Sequence, residues 1–318
     1  MKAFFIKFVL LLLLVVILQT LVGKYDIEFK ELERLDRYLR EKVDVLYLGD
    51  CTDYTLSKQD KDRRTITRML RDMNPGKRIR SIIHAAYQAD IFLEFCRYIV
   101  KQEHQPKVII IPINMRSFSP QWDRMPHYQF EKEKIILRGG LLSRLLYAFY
   151  KPLRAFRYDF RTISREEYLN TPVFDGTRQV GRIKDFEIIS KDGNLEESIR
   201  RKLFLYYMFS LEAGHRKVKA MLEIARVLAA HDIRLIFYIT PIDIQAGENY
   251  FPGSFGRRLK RNTSVIKELL AAQGLQVLDL SADLGSDGFS WKDRVYPSEQ
   301  LSEKGRKYVA EQLNELLK

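Results

Sequence analysis

Short apolar runs, many of them β-branched, alternate with amphipathic segments along most of the chain, and this alternation restricts the possible folds. The clearest run, Lys107–Ile113, reads KVIIIPI, and similar runs occupy Val43–Leu48, Ile233–Ile239 and Leu275–Leu280. Strands that are apolar throughout are typical of a parallel sheet covered on both faces. Parallel strands need long crossover connections, which the helical segments between the runs supply.

The spacing of apolar residues also predicts the connecting helices. The predicted helices span Lys24–Glu41, Thr65–Met73, Ala89–Gln102, Arg216–Ala230, Ser264–Ala272 and Ser302–Leu317, with a further apolar segment at Ile79–Ala85. We predict a three-layer α/β domain over residues 43–318, with a mostly parallel sheet flanked by helices. The stretch of about 117–210 is too long for a plain loop, so we interpret it as an inserted, largely helical subdomain or lid.

The N-terminus carries an uncharged apolar run, Phe8–Gly23, preceded by Lys2 and Lys7. A membrane-spanning helix needs about 20 apolar residues, and the core of a signal peptide needs about 7–15. The run is intermediate and lacks a clear cleavage site, which favours an uncleaved signal anchor over 1–23 to a cleaved signal peptide. We expect a juxtamembrane helix over 24–42 and a body on the extracytoplasmic side of the cell membrane, since no further span follows.

Composition narrows the possible partners. The chain has 54 Lys and Arg against 41 Asp and Glu, and the net charge of +13 suits an anionic membrane surface or polymer. Its two cysteines exclude a disulfide-stapled scaffold and a Cys-rich zinc module. No residue cluster has metal-site spacing and no glycine-rich phosphate loop is present, so we predict neither metal nor cofactor. The basic residues are scattered, which argues against nucleic acid as the partner.

Candidate site residues follow from the predicted topology. In an open parallel sheet, ligands bind beyond the carboxyl ends of the strands. Five segments are nominated in this way: residues 49–53, 84–87, 114–117 and 240–243, and residues 296–301 before the last helix.

Three of these segments resemble blocks of the SGNH (GDSL-type) hydrolases. Gly49-Asp50-Cys51 resembles the Gly-Asp-Ser block that carries the nucleophile, and Asn114 resembles the Asn that donates to the oxyanion. The stretch 300–310, QLSEKGRKYVA, resembles the C-terminal block, which usually follows an Asp-x-x-His sequence. The resemblance covers most of 43–318 outside the insertion. It implies an SGNH-like, flavodoxin-like fold and ester hydrolysis or acyl transfer.

The chain departs from that family at each triad position. Cys51 stands where the family has its Ser, Gln300 where it has its His, and Pro297 where it has its Asp. A thiol can replace a hydroxyl as nucleophile, but the amide of Gln cannot act as a general base. Two interpretations follow: a rewired site, or a scaffold that has lost hydrolysis.

A rewired site needs another base for Cys51, which is either a nucleophile or a small buried residue at a helix start. His84 is the candidate base, and the alternative is a packed histidine at a strand end. His127 could reach the site from the insertion. A disulfide between Cys51 and Cys96 is a further alternative in an oxidising compartment.

The remaining candidates are one further catalytic residue, Asn114, and three binding residues. Asn114 is either an oxyanion donor or a turn-forming residue. Arg116 either binds an acidic group or forms a surface salt bridge. Asp50 and Gln300 complete the predicted binding residues.

A narrower resemblance suggests a pathway. The anchor, the insertion and the Asn114–Ser119 stretch are similar to SGNH-like proteins that accompany membrane-bound O-acyltransferases in alginate acetylation and teichoic-acid D-alanylation. This implies cell-surface O-acylation of a glycan or polymer through a thioester on Cys51, with the oxyanion held by the Cys51 N–H and Asn114. The alternative is a non-catalytic accessory protein that keeps the cleft to bind glycan or dock the acyltransferase. The expected partners are the acyltransferase, an anionic glycan or polymer, and membrane lipid.

Overall fold

The computed structural model describes residues 2–23, 29–119, 122, 129–139, 160–170, 179–183, 195–291 and 298–318. The strands are β1 Val45–Gly49, β2 Ile79–Ile83, β3 Val108–Ile113, β4 Phe160–Ile163, β5 Gln179–Ile183, β6 Arg234–Ile239 and β7 Leu278–Asp279. The helices are α1 Lys2–Gly23, α2 Lys30–Arg40, α3 Ile66–Met73, α4 Ala89–Ile99, α5 Glu131–Arg138, α6 Arg165–Asn170, α7 Leu195–Tyr207, α8 Arg216–Ala229, α9 Ile244–Tyr250, α10 Phe255–Ala271 and α11 Glu303–Glu315.

The main sheet has five parallel strands in the order β2-β1-β3-β6-β7. Val45 at the start of β1 lies beside Ile79 on one side and Val108 on the other, and Val108 in turn lies beside Arg234. β1 and β3 are central and almost wholly buried, because flanking helices cover the sheet. α4 packs against α8, and α3 packs against α11. The predicted α/β fold with a parallel sheet flanked by helices is confirmed.

Two predicted elements differ in extent from those observed. α10 begins at Phe255 rather than Ser264, and buried Phe255 and Leu259 extend its apolar stripe through a run of basic residues. The last strand is only Leu278–Asp279, because it is an edge strand that pairs with β6 alone. Residues 275–277 precede it without strand pairing.

The described part of the insertion contains helices and also a small sheet. β4 and β5 pair in parallel, with a register shift between Arg161 and Thr162. This pairing was not predicted, since neither strand has a long apolar run. α5, α6 and α7 supply the helical part that was expected. The predicted domain boundaries themselves stay predictions.

At the N-terminus, α1 exposes most of its apolar side chains, among them Phe4 at 76% and Leu10 at 59%. In the part of the chain that the structure describes, no helix meets both the length and the hydropathy required of a membrane span. Membrane anchoring through residues 1–23 stays a prediction.

Arg306 joins the last helix to the long connection after β1. Its buried guanidinium donates to Asp60 Oδ2 at 2.7 Å and to the carbonyl oxygens of Thr55, Asp62 and Arg64 at 2.9, 2.7 and 3.0 Å. These carbonyl oxygens lie outside any helix or strand, so the Arg306 guanidinium supplies the hydrogen bonds that they would otherwise lack.

Neighbouring residues of α11 reinforce the same junction. The Glu303 carboxylate accepts hydrogen bonds from the backbone N–H groups of Lys61 and Asp62 at 2.7 and 2.8 Å. Gly305 faces the preceding segment so closely that a Cβ would lie 2.2 Å from the carbonyl oxygen of Gly288. The glycine is therefore required by packing between backbones.

We expect the substitution Arg306→Met to lower the free energy of unfolding by roughly 3–5 kcal/mol, because it leaves the buried Asp60 carboxylate without its cation. Urea denaturation followed by circular dichroism measures the change. Arg68→Met is the matched control, since Arg68 is exposed in its ion pair with Asp72, and its loss should cost less than about 1 kcal/mol. Equal losses in the two variants would contradict the assigned role of Arg306.

Candidate functional site

The carboxyl ends of three neighbouring strands bring buried polar residues together. Asp50 follows β1, Asn114 follows β3 and Thr240 follows β6, and all three side chains are buried. The Thr240 hydroxyl donates to Asn114 Oδ1 at 2.9 Å, which fixes the orientation of the Asn114 amide. The site therefore lies at the strand ends that the topology rule nominates.

Arg116 is the centre of this edge. It lies in a 3₁₀ turn, Met115–Phe118, and its side chain is only 2% exposed. Nη2 donates to Asp50 Oδ2 at 3.2 Å, and Nη1 lies 2.6 Å from Glu299 Oε2. The Arg116 backbone N–H donates to Glu299 Oε1 at 3.1 Å. Arg116 pairs with acidic groups of the chain itself, and the alternative of a surface salt bridge is not realised, because both partners are buried with it.

The ionisation of Arg116 and that of Glu299 depend on the contact between the two residues. Burial opposes the charge of Arg116, yet Glu299 and Asp50 hold the pKa of the guanidinium well above its ordinary value. Burial raises the pKa of Glu299, and Arg116 opposes that rise. We assign the pair as ionised because guanidinium keeps its proton in proteins and a lone buried cation would be far costlier. The Arg116 guanidinium also stacks over Trp122, with Cζ 5.2 Å from the ring centroid.

Cys51 is the half-buried member beside this cluster. Its Sγ lies 3.5 Å from Arg116 Nη2 and 4.0 Å from Asp50 Oδ2. Burial, followed by the charge of Asp50, raises the pKa of the thiol to about 11, while Arg116 and the backbone N–H of Ala86 act in the opposite direction. Cys51 is therefore protonated at neutral pH. Cys51 and Cys96 are both free thiols, so the disulfide alternative is not realised.

Local geometry explains the Gly-Asp-Cys sequence. A Cβ on Gly49 would lie 2.2 Å from Cε1 of Tyr47, so only glycine allows that ring to turn back over the strand end. Asp50 Oδ1 accepts hydrogen bonds from the Thr52 N–H at 3.0 Å and the Thr52 hydroxyl at 2.7 Å, which fixes the turn that presents Cys51.

His84 takes no part in this network. It is exposed, its Nδ1 lies 2.8 Å from the carbonyl oxygen of Ala85, and its ring packs against Tyr87 and Phe130. Among the four histidines within the described ranges, none has a nitrogen hydrogen-bonded to Cys51 Sγ. The predicted role of His84 as base stays untested, and His127 and Pro297 lie outside the described residues.

Gln300 directly follows Glu299 in the chain. Its carbonyl oxygen accepts a hydrogen bond from the Ser290 N–H at 2.9 Å, in an antiparallel bridge between Phe289 and Leu301. Its Oε1 is buried and makes no hydrogen bond within the described part of the chain. The backbone of Gln300 is thus fixed, and its side-chain amide offers no proton acceptor of useful basicity.

Two residues in nominated segments carry roles that the sequence did not reveal. Glu299 is the second carboxylate of the Arg116 cluster, and Ala86 directs its N–H at Cys51 from a left-handed conformation, φ 68°. Non-glycine residues seldom adopt this conformation, so Ala86 is held there by its surroundings. Glu299 directly precedes the candidate residue Gln300, and this adjacency is the feature of the sequence that could have indicated its role.

Buried groups behind the site also have shifted pKa values. Asp53 Oδ1 accepts from the Thr67 N–H at 2.8 Å and Oδ2 from the Thr67 hydroxyl at 3.1 Å. Burial nevertheless raises the pKa of Asp53 to about 6. The hydroxyls of Tyr47 and Tyr238 lie 2.6 Å apart in the same region, and burial raises the pKa values of both.

Neither a protein-family model nor a curated protein sequence matches the chain. Solved structures do match. The lipase/acylhydrolase from Enterococcus faecalis has 10% identity and a TM-score of 0.39, over 86% of this chain and 94% of that one. The extracellular lipase from Streptomyces rimosus has 9% identity and a TM-score of 0.40, over 86% and 99%.

A catalytic mutant of the acetylxylan esterase from Geobacillus stearothermophilus has 14% identity and a TM-score of 0.36, over 85% of this chain and 91% of that one. These structural neighbours are a lipase/acylhydrolase, a lipase and an acetylxylan esterase. Likenesses this distant concern the fold, and the case for a function rests on the residues of the site.

We expect alkylation of Cys51 by iodoacetamide at pH 8 to be about 100-fold slower than for an ordinary thiol of pKa about 8.5, because only the thiolate reacts. The rate should still be rising at pH 10. Peptide mass spectrometry of timed samples measures it, with the urea-unfolded chain as reference. Alkylation of Cys96, which is fully buried, would indicate that the fold has opened during the experiment. A rate plateau reached below pH 9 would contradict the raised pKa.

The pKa of Asp53 makes a separate prediction about stability. A carboxyl whose pKa rises from 3.8 to about 6 on folding stabilises the fold most below pH 4, and this contribution is lost as pH rises through 6. The loss is on the order of 3 kcal/mol. Urea denaturation at pH 4 to 7 should show this decline in the wild type and a flatter profile in Asp53→Asn. Parallel profiles in the two proteins would refute the assignment.

Proposed function

We propose that this chain is a membrane-anchored, extracytoplasmic SGNH-like accessory protein of a cell-surface O-acylation pathway. It keeps the cleft at the strand ends to bind a glycan or polymer, or to dock a membrane-bound O-acyltransferase. Hydrolysis through Cys51 is not part of this function.

The observation that carries the proposal is the buried ion-pair cluster beside Cys51. Arg116 joins Asp50 and Glu299 next to the thiol, and guanidinium cannot accept a proton. The two carboxylates are engaged by the same cation, and the pKa of Cys51 is raised to about 11. A nucleophilic thiol needs a lowered pKa or an adjacent base, and the described residues around Cys51 supply neither.

Anchoring is supported by the exposed apolar side chains of α1. Phe5 is 67% exposed and Leu14 53% exposed, which is unusual for such residues in water. Lipid would remove these side chains from water. The net charge of +13 suits an anionic membrane surface and an anionic polymer, which are the partners we propose along with the acyltransferase.

A second candidate function is acyl transfer through a thioester on Cys51. Arg116 Nη2 at 3.5 Å from Sγ and the Ala86 N–H favour it, because both stabilise negative charge at the sulfur. In that reaction the S–C bond forms, the ester C–O bond breaks, and the departing alkoxide takes the thiol proton. Asn114 and backbone N–H groups would then hold the oxyanion.

Intact mass spectrometry after exposure to p-nitrophenyl acetate separates the two candidates. For the accessory function we expect no acetyl adduct beyond that of Cys51→Ala, and equal release of nitrophenol by the two proteins. A single adduct that disappears in Cys51→Ala would overturn the accessory proposal and support the acyl-transfer candidate.

The pathway itself is tested in cells. Deletion of the chain should abolish O-acylation of the surface polymer, and Cys51→Ala should restore it as well as the wild type does. Polymer acyl content, measured by NMR, gives the result. Unchanged acylation after deletion would remove the pathway assignment, whereas failure of Cys51→Ala alone would point to thioester chemistry.

A further inference from the structure

A cavity of about 310 Å³ lies between α6, α7 and the start of α10. It contains neither Cys51 nor Arg116, so it is distinct from the site at the strand ends. Four arginines line it: Arg165 from α6, and Arg257, Arg258 and Arg261 from α10. The rest of the lining is mainly apolar and comes from α6, α7 and the turn before α10.

The arginines of α10 lack carboxylate partners. In the described part of the chain, none of Arg257, Arg258 and Arg261 forms an ion pair, although Arg257 donates to the carbonyl oxygen of Gly253 at 3.0 Å. Nη1 of Arg258 is buried without a hydrogen bond. Burial, together with the charge of Arg261, lowers the pKa of Arg258. An unpaired, partly buried guanidinium beside another cation is unfavourable.

The cavity floor is aromatic. The rings of Phe204 and Phe251 lie with centroids 6.0 Å apart, and the Arg165 guanidinium stands 5.2 Å above the centroid of Phe204. Leu169 and Met208 extend this apolar surface. The cavity thus combines an apolar floor with a cationic rim, which matches a ligand that has one apolar end and one anionic end.

We propose that this cavity binds an oxyanion carried on a short aliphatic chain, with the chain on the Phe204–Phe251 floor and the oxyanion among the arginines. A phosphate monoester or the headgroup region of an anionic lipid offers this chemistry. The volume holds about ten water-sized groups, which is the size of a phosphate with a short alkyl chain. This inference does not depend on the function proposed for the Cys51 site.

Isothermal titration of the full chain in phosphatidylcholine nanodiscs tests the proposal, with hexyl phosphate as the probe. Inorganic phosphate and hexanol serve as the head-only and tail-only controls. We expect hexyl phosphate to bind at least tenfold more tightly than either control. Equal affinity for hexyl phosphate and inorganic phosphate, or for hexyl phosphate and hexanol, would overturn the proposal.

Substitutions of the cavity arginines test whether hexyl phosphate binds in the cavity. Arg258→Met should weaken binding of hexyl phosphate about tenfold, through loss of a charge-assisted hydrogen bond. Arg165→Met should act similarly from the opposite wall, and as an exposed residue it keeps the test valid if Arg258→Met misfolds. Arg226→Met removes the same charge from the exposed face of α8 and should change affinity less than twofold. Equal effects at Arg165 and Arg226 would refute the site.

A last arm distinguishes the ligand sources. If the headgroup of an anionic lipid enters the cavity, nanodiscs that contain phosphatidylglycerol should lower the apparent affinity for hexyl phosphate by competition. Unchanged affinity in those nanodiscs, together with the Arg258 dependence, would assign the site to a free phosphate ester.

Discussion

The carboxyl edge of the sheet depends on Arg116. Its guanidinium and backbone N–H join the end of β1, through Asp50, to the segment before α11, through Glu299. All three residues are buried, so none of these charges could stand alone without a large desolvation cost. The geometry of the three is therefore interdependent, and the turn that carries Cys51 is held in place by the same contacts.

This arrangement also sets the chemical limits of the site. Burial and the charge of Asp50 raise the pKa of Cys51, and the charge of Arg116 opposes them only in part. A site built for nucleophilic attack needs a proton acceptor near the sulfur, and Gln300 and Arg116 provide none. What remains is a half-buried thiol beside one buried guanidinium and two buried carboxylates. Such an arrangement agrees with the accessory function that we propose.

The arginine cavity illustrates a different organisation of charge. At the strand ends, Arg116 has two buried carboxylates as counterions. Along α10, Arg258 and Arg261 share a cavity without one, above the rings of Phe204 and Phe251. The same excess of positive charge that suggested an anionic partner from composition is here concentrated at a place with room for a ligand.

Much of the fold could be predicted because its signals are local. The β-branched runs predicted β1, β3 and β6, and the apolar spacing predicted α3, α4, α8 and α11 to within a few residues. The nominated segments contained Asp50, Cys51, Asn114, Arg116 and Glu299. The partners of Arg116 could not be predicted, since Asp50 and Glu299 lie 66 and 183 residues away along the chain. The pairing of β4 with β5 could not be predicted either, because neither strand has an apolar pattern of its own.

The sequence by itself determined the parallel α/β class, the order of the elements and the segments that meet at the strand ends, since these follow from periodicity and from the rules of chain crossover. Only the tertiary structure decided the chemistry. It buried Arg116 between two carboxylates, turned His84 towards its own backbone and raised the pKa of Cys51, because burial and pair distances depend on contacts between residues that are remote in the chain.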